Sequence, residues 1–328
     1  MRICLLGDYS NSMLDEGIKN MSFHIHRGLQ DSHEVLFFDV GNLFSYKVWE
    51  KLREFRPQII HYLPGPSLFS FLIAKSASAY SGGAAIIVSA YHPGMLWPMK
   101  MIPLLKLKPN LILTASKGAE DVFRKLGCNV RFLEPGVDVD RFVPVSVSRK
   151  RLLRRKYGID EKKFVILHVG HLKHERNVQE IENLQNEENQ VIIVGSSATK
   201  HNEYLCKRLE KCGCKVFGKY IPEIQELYAL SDCYVFPTKN RLASIDLPLS
   251  ILEAMSCNLP IASTRFGAIP TLFQESDGFR FFDANKDLCN IVEDLRACPN
   301  IDNRMLVLPY SWKNVCSKLE TVYEELVE

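Results

Sequence analysis

Three short stretches of this 328-residue chain hold residue types that handle anions. In Ser250-Ile251-Leu252-Glu253-Ala254-Met255 a Ser leads an apolar run with a Glu on its first turn, which reads as the opening of a helix. Asn258-Leu259-Pro260-Ile261-Ala262-Ser263-Thr264-Arg265 and then Phe266-Gly267-Ala268-Ile269-Pro270 read as a buried strand and a glycine turn. A helix start presents unpaired N–H groups and the positive end of the helix dipole, so it favours an anion above it. Ser250-x-x-Glu253 also fits a capping box in which the Glu only bonds the Ser250 backbone N–H, and locally both readings stand.

The second stretch, Gly170-His171-Leu172-Lys173-His174-Glu175-Arg176-Asn177, follows an apolar run at 164–169. Asn177-x-x-Glu180 predicts a capped helix, which puts Arg176 one residue outside a helix N-terminus. An Arg fork can bind two phosphate oxygens, whereas His171 offers at most one donor and is only partly charged near neutral pH. As a plain polar cap on a strand end, His171 needs no ligand. The third stretch, 8–17, places Gly17 ahead of a helix starting near Ile18, where backbone N–H groups can approach a phosphate or a sugar; a left-handed turn is the alternative. His92 closes a strand expected at 84–91, a position that serves either structure or chemistry, and His24, His26 and His61 read as core groups or groups behind a site. Cys212-Gly213-Cys214 has no second Cys or His pair at zinc spacing and reads as small residues before a strand.

The elements that must position these residues are legible as short β-branched and aromatic runs between helical stretches. Strands are expected at 2–8, 34–40, 58–63, 84–91, 111–116 and 130–134, and the pattern restarts at 164–170, 190–195, 215–218, 233–238 and 260–265. Such runs suit buried parallel strands in βαβ units, hence an α/β chain with two Rossmann-like doubly wound domains, each with a crevice at the carboxyl ends of its strands. A basic run, Arg149-Lys150-Arg151 then Arg154-Arg155-Lys156, marks the junction within 137–160. The domains are expected at 1–145 and 146–310, followed by 311–328, where Trp312, Val315, Leu319, Val322 and Leu326 form one face of a helix.

Composition excludes several function classes. A chain of this length suits two domains with real cores, and 46% hydrophobic with 24% charged residues describes a soluble globular protein. A net charge of +3 and the lack of any RNA or DNA motif argue against nucleic acid. Ten cysteines spread through predicted elements are cytosolic usage, and the start of the chain carries no secretory pattern, so a cytoplasmic location is expected. No transmembrane span is expected. Residues 95–108 mix Trp, Met and Leu with Lys, as interfacial segments do, and read either as a solvated helix or as a peripheral contact with the inner membrane face.

The order of these motifs, with Pro135-Gly136-Val137-Asp138 through Phe142, resembles family-4 retaining glycosyltransferases over nearly the whole chain. That resemblance implies the GT-B fold, with two domains facing across a cleft, the first on the acceptor side, the second holding the nucleotide sugar, and the last helix crossing back to the first. It implies transfer of a hexosyl unit from a UDP-, GDP- or ADP-sugar to a hydroxyl of a glycan or lipid-linked acceptor, with no metal and no cofactor. Arg176 and His171 correspond to the two cations that grip the donor diphosphate, His92 to the active-site His near the reacting carbon, and Glu253 to the carboxylate on the ribose hydroxyls. Gly17, Gly170, Gly195, Ile221, Leu249 and Ser250 fall on donor-contacting backbone. The chain departs from the pattern where His171 replaces an Arg, where Ile245 replaces the Glu that contacts hydroxyls of the transferred sugar, a donor contact that the adjacent Asp246 is expected to cover, and where Pro248-Leu249-Ser250 replaces Gly-Leu-Pro, removing one N–H donor. Asp138-Val139-Asp140 matches the cation-binding Asp-x-Asp of the other large glycosyltransferase fold, but it lies at the domain junction and reads as a decoy. An epimerase, a phosphorylase or a non-catalytic sugar-nucleotide-binding scaffold are the alternatives this fold also houses.

Overall fold

The computed structural model describes residues 1–9, 14, 16–92, 107–197, 201–283, 285–298 and 301–328. Contacts divide the chain into two units, 1–136 with 245–247 and 312–328, and 137–244 with 248–311.

In the first unit the apolar runs become β1 (Arg2–Gly7), β2 (Glu34–Asp39), β3 (Ile59–Tyr62), β4 (Ala85–Ser89), β5 (Leu111–Thr114) and β6 (Val130–Phe132), separated by α1 (Gly17–Leu29), α2 (Tyr46–Phe55), α3 (Leu68–Ser81) and α4 (Lys117–Lys125). They pair in the order β2-β1-β3-β4-β5-β6, all in parallel. Strands covered on both faces can be apolar throughout, and β3 and β5 are buried at every residue.

The second unit opens with α5 (Val147–Lys156) and continues through β7 (Phe164–Val169), β8 (Asn189–Val194), α6 (Glu203–Lys211), β9 (Lys215–Phe217), α7 (Ile224–Leu230), β10 (Cys233–Phe236), α8 (Leu249–Ser256), β11 (Ile261–Ser263), α9 (Ile269–Leu272), β12 (Phe279–Phe281), α10 (Asn285–Ala297) and α11 (Asn303–Val307). Its parallel order is β12-β11-β10-β7-β8-β9. The chain winds outward from β7 to β9, returns to the middle, and winds the other way from β10 to β12. The order therefore reverses between β7 and β10, and a crevice opens there above the carboxyl ends of the strands.

α12 (Trp312–Val327) groups with the first unit. It buries Trp312, Val315, Cys316, Leu319, Val322 and Tyr323, each such apolar side chain contributing roughly 1.5–3 kcal/mol. Gly28 on α1 allows the approach, because a Cβ there would lie 2.5 Å from Cys316 Sγ. Trp312 stacks on His24 at 5.0 Å between ring centroids, and the Tyr323 hydroxyl meets His61 Nδ1 at 2.7 Å while His61 Nε2 meets Ser89 Oγ at 2.9 Å. Burial lowers the His61 pKa to about 3, so this imidazole is a neutral structural link.

Three local expectations change. The division falls after Gly136 rather than after 145, because Val137 bridges Ser311 and the Phe142 carbonyl accepts from Ser256 Oγ at 2.6 Å and Arg304 Nη1 at 2.9 Å. The basic run is part of α5, where Arg154 is buried against Asp232. β12 is a strand the sequence reading did not contain. Segment 95–108 lies outside the described residues except for Leu107 and Lys108, and no helix among the described residues is long and apolar enough to cross a membrane.

Candidate functional site

The crevice of the second sheet collects residues from the ends of β7 and β10 and from the start of α8. β7 ends at Val169, and the Gly170 N–H continues the ladder to the Val194 carbonyl at 2.9 Å. The chain then turns through a single 3₁₀ turn, His174–Arg176, that stops at Asn177 in the left-handed region (φ 55°). Asn177 makes no side-chain cap, and the residues after it, Val178–Leu184, continue as 3₁₀ rather than as the α-helix expected from Asn177-x-x-Glu180. Arg176 is therefore held by its own turn, through its N–H to Lys173 O at 3.1 Å, and by the Thr238 hydroxyl on its carbonyl at 3.4 Å.

The Arg176 side chain is 7% exposed, and its Nε has no hydrogen-bond partner. Among the described residues no carboxylate pairs with it. Burial lowers its pKa to about 10, which still leaves it charged at neutral pH. An unpaired buried guanidinium is costly, so its persistence points to an anion that it meets in use. Gly170 makes room for it: a Cβ there would sit 2.8 Å from Arg176 Nη1 and 3.2 Å from His168 Nε2.

α8 starts at Leu249 with Pro248 as its N-cap residue and no side-chain cap. Ser250 is thus the second residue of the helix and not its cap, and the capping box does not form. The side chain of Ser250 bonds that of Tyr234, whose hydroxyl lies 3.3 Å from the Val169 carbonyl. Glu253 accepts instead from the Tyr228 hydroxyl at 2.6 Å, a partner on α7. Burial raises the Glu253 pKa to about 7, with the Tyr228 bond and Arg141 opposing the shift and Asp138 adding to it. Tyr234 bonds Ser250 at the α8 opening and lies within electrostatic reach of both Arg176 and Glu253, so these groups form one cluster; His171 is partly exposed.

The other candidates are distributed more widely. Gly195 follows β8 directly and its N–H donates to Phe217 O at 2.8 Å, with the His201 ring packed where its Cβ would be. Ile221 is partly exposed in the connection before α7, and Leu249 is 7% exposed. Asp246 (3% exposed) and Ile245 (7%) group with the first unit, where the Asp246 N–H donates to Tyr91 O at 2.7 Å, one residue from His92. His92 follows β4 by three residues rather than closing it. Gly17 is the first residue of α1 and not a left-handed turn; Ser10 to Met13 and Asp15 of its loop lie outside the described residues. Asp138 Oδ1 accepts from the Arg141 N–H at 3.0 Å, a local turn, and among the described residues no group of three His, Cys, Asp or Glu is placed to hold a metal. His168, Tyr228 and Tyr234 are site neighbours that the sequence reading did not single out; a His inside an otherwise apolar strand, FVILHV, was the available signal.

Residues 149–305 match the family model described as Glycosyl transferases group 1. Sulfoquinovosyl transferase SQD2 of Arabidopsis thaliana is 27% identical over 75% of the chain and 51% of the relative. D-inositol 3-phosphate glycosyltransferase of Corynebacterium jeikeium is 30% identical over 61% of the chain and 52% of the relative. The chain thus spans about half the length of these curated relatives. The crystal structure of Anabaena Alr3699/HepE in complex with UDP superposes with a TM-score of 0.78 at 16% identity, covering 99% of this chain and 100% of that one. Sucrose-phosphate synthase from Thermosynechococcus elongatus superposes at 0.76 with 12% identity, covering 99% of each chain. Together with the two parallel six-stranded sheets, these likenesses identify the two-domain, Rossmann-like GT-B fold.

Proposed function

We propose that this chain, whose residues 149–305 match the group 1 glycosyl transferase model, is a glycosyltransferase that moves a hexosyl unit from a nucleoside diphosphate sugar to an acceptor hydroxyl with retention and without a metal. The observation that carries the reading is Arg176, a buried cation with no anionic partner among the described residues, set at the point where the strand order of the second sheet reverses. As the bond to the leaving diphosphate breaks, negative charge grows on its oxygens, and a preorganised guanidinium stabilises that charge more than it stabilises the bound donor. The uncapped start of α8 adds backbone N–H groups and a dipole of the same sign. Glu253, the fifth residue of α8 and held by the Tyr228 hydroxyl, is the carboxylate we assign to the ribose hydroxyls. Protein groups alone supply positive charge for the diphosphate in this reading, which is why no metal is invoked.

UDP is the diphosphate named for the HepE structure and is the first donor base to try here. Acceptors among the relatives' printed names include D-inositol 3-phosphate and phosphatidylinositol monomannoside, which supports a phosphorylated polyol or a lipid-linked glycan as the acceptor class. The test is a thermal-shift panel of UDP-, GDP- and ADP-sugars with their diphosphates in EDTA. Selective stabilisation by one base is the expected result, because ligands that bind only the folded state raise its stability. If no donor shifts the transition, the reading as a transferase yields to that of a non-catalytic scaffold, which the buried Ile245 would then favour.

A further inference from the structure

Beside Arg176 lies a second buried group with an unmet hydrogen-bonding atom. His168 is fully buried on β7, and its Nδ1 lies 2.9 Å from the Val235 carbonyl. A carbonyl only accepts, so Nδ1 carries the proton. Burial, helped by the Arg176 charge and opposed by the Val235 bond, lowers the His168 pKa to about 4, so the ring is neutral and Nε2 is left as a lone pair. That Nε2 is buried with no partner among the described residues. It lies 3.2 Å, and Arg176 Nη1 2.8 Å, from the position that a Cβ on Gly170 would take. An atom that can only accept and a group that can only donate therefore flank one point in the crevice, with no side chain between them because residue 170 is a glycine.

We propose that His168 is a positioning residue: its Nε2 accepts a hydrogen bond from the Arg176 guanidinium when that fork engages a diphosphate, fixing the plane of the fork. The choice of acceptor has a physical reason. A carboxylate in this place would orient Arg176 equally well but would cancel its charge, whereas a neutral imidazole orients it and leaves the full charge for the ligand. The Val235 carbonyl matters because it selects the tautomer that exposes the lone pair. The inference rests on Arg176 holding the donor diphosphate.

Two substitutions separate the two nitrogens. His168→Gln can place an amide oxygen near the Nε2 position, and His168→Asn can place an amide N–H near the Nδ1 position while leaving nothing towards Arg176. Calorimetry uses whichever of UDP, GDP or ADP the wild-type protein binds most tightly. The expected result is affinity within about twofold of wild type for His168→Gln and a loss of about tenfold for His168→Asn. The reverse order would assign His168 to the Val235 bond alone, and equal loss or no loss in both would equally overturn the proposal. If either variant fails to fold, nitrogen NMR of the wild-type histidines decides: adding the diphosphate must move the His168 Nε2 resonance more than Nδ1, and an unmoved Nε2 overturns the role. Wild-type protein that binds none of the three diphosphates overturns the Arg176 reading itself and this inference with it.

Discussion

Two edges of the same sheet each hold a buried arginine, and the two are treated oppositely. Arg154 and Arg176 are both 7% exposed. At the amino-terminal edge, Arg154 donates to Leu230 O, Glu161 O and Lys163 O and pairs with the Asp232 carboxylate at 2.5 Å, which itself accepts the Val165 N–H at 2.7 Å. At the carboxyl edge, Arg176 has no carboxylate and its Nε has no partner among the described residues. Burial alone does not mark a functional cation. What separates the two is whether the protein has already met the charge: a satisfied guanidinium fastens α5 to the sheet, and an unsatisfied one waits for a ligand.

The sharpest way to break this comparison is to replace each guanidinium by Met. Arg176→Met is expected to lower turnover about 100-fold or more, the scale of losing one preorganised charge-stabilising group, measured under saturating donor. Its unfolding free energy in the absence of ligand is expected to stay level or rise, because an uncompensated buried charge has gone. Arg154→Met is expected to lose about 3 kcal/mol or more in urea denaturation, since it takes the donor from the Leu230, Glu161 and Lys163 carbonyls and leaves Asp232 with only Lys150 as a charged partner, with turnover per folded molecule unchanged. A large stability loss in Arg176→Met would make the two arginines alike.

Glu253 sharpens the carboxyl-edge side of the comparison through pH. Its folded pKa of about 7 lies above the ordinary carboxyl value, so the folded protein holds this proton more tightly than the unfolded chain. The resulting stability is present in full at acid pH and is lost as pH rises through about 7. Glu253→Gln, which keeps an acceptor for Tyr228, is expected to remove a slope on the order of 2 kcal/mol between pH 5 and 8. Denaturation at several pH values tests this, and identical slopes for wild type and variant would contradict it. A smaller effect is expected for Gly170→Ala. The new methyl group would force the Arg176 tip aside at 2.8 Å, weakening diphosphate binding by about tenfold in calorimetry while the melting temperature moves little. The smallest effect expected is none: EDTA leaves turnover unchanged, and a loss restored by added divalent cation would contradict the metal-free account.

The sequence made the fold legible because buried parallel strands must be apolar on both faces, so β1 to β11 each stand out as a run. β12 did not, since Arg280 splits the apolar residues of Phe279–Phe281 and the segment sits between Gly278 and Asp283 with no β-branched residue. Arg176 could be placed because it follows a strand end by a short fixed turn. The start of α8 was misplaced by two residues because Ser250-x-x-Glu253 satisfies a local rule, while the contact that holds Glu253 comes from Tyr228, distant in sequence. His168 was hidden for the same kind of reason: its neighbours Val235 and Arg176 meet it only once β7 and β10 pair. Positions set by chain connectivity are readable from sequence, whereas those set by pairing across the sheet are not.

The most direct measurement is urea denaturation of wild type and Arg176→Met in EDTA, each with and without saturating UDP. The account predicts equal or greater stability for the variant in the ligand-free state, and stabilisation by UDP in wild type that is largely lost in the variant. A variant that is several kcal/mol weaker without ligand, yet gains as much from UDP as wild type does, would show Arg176 to be another structural arginine and would contradict the account.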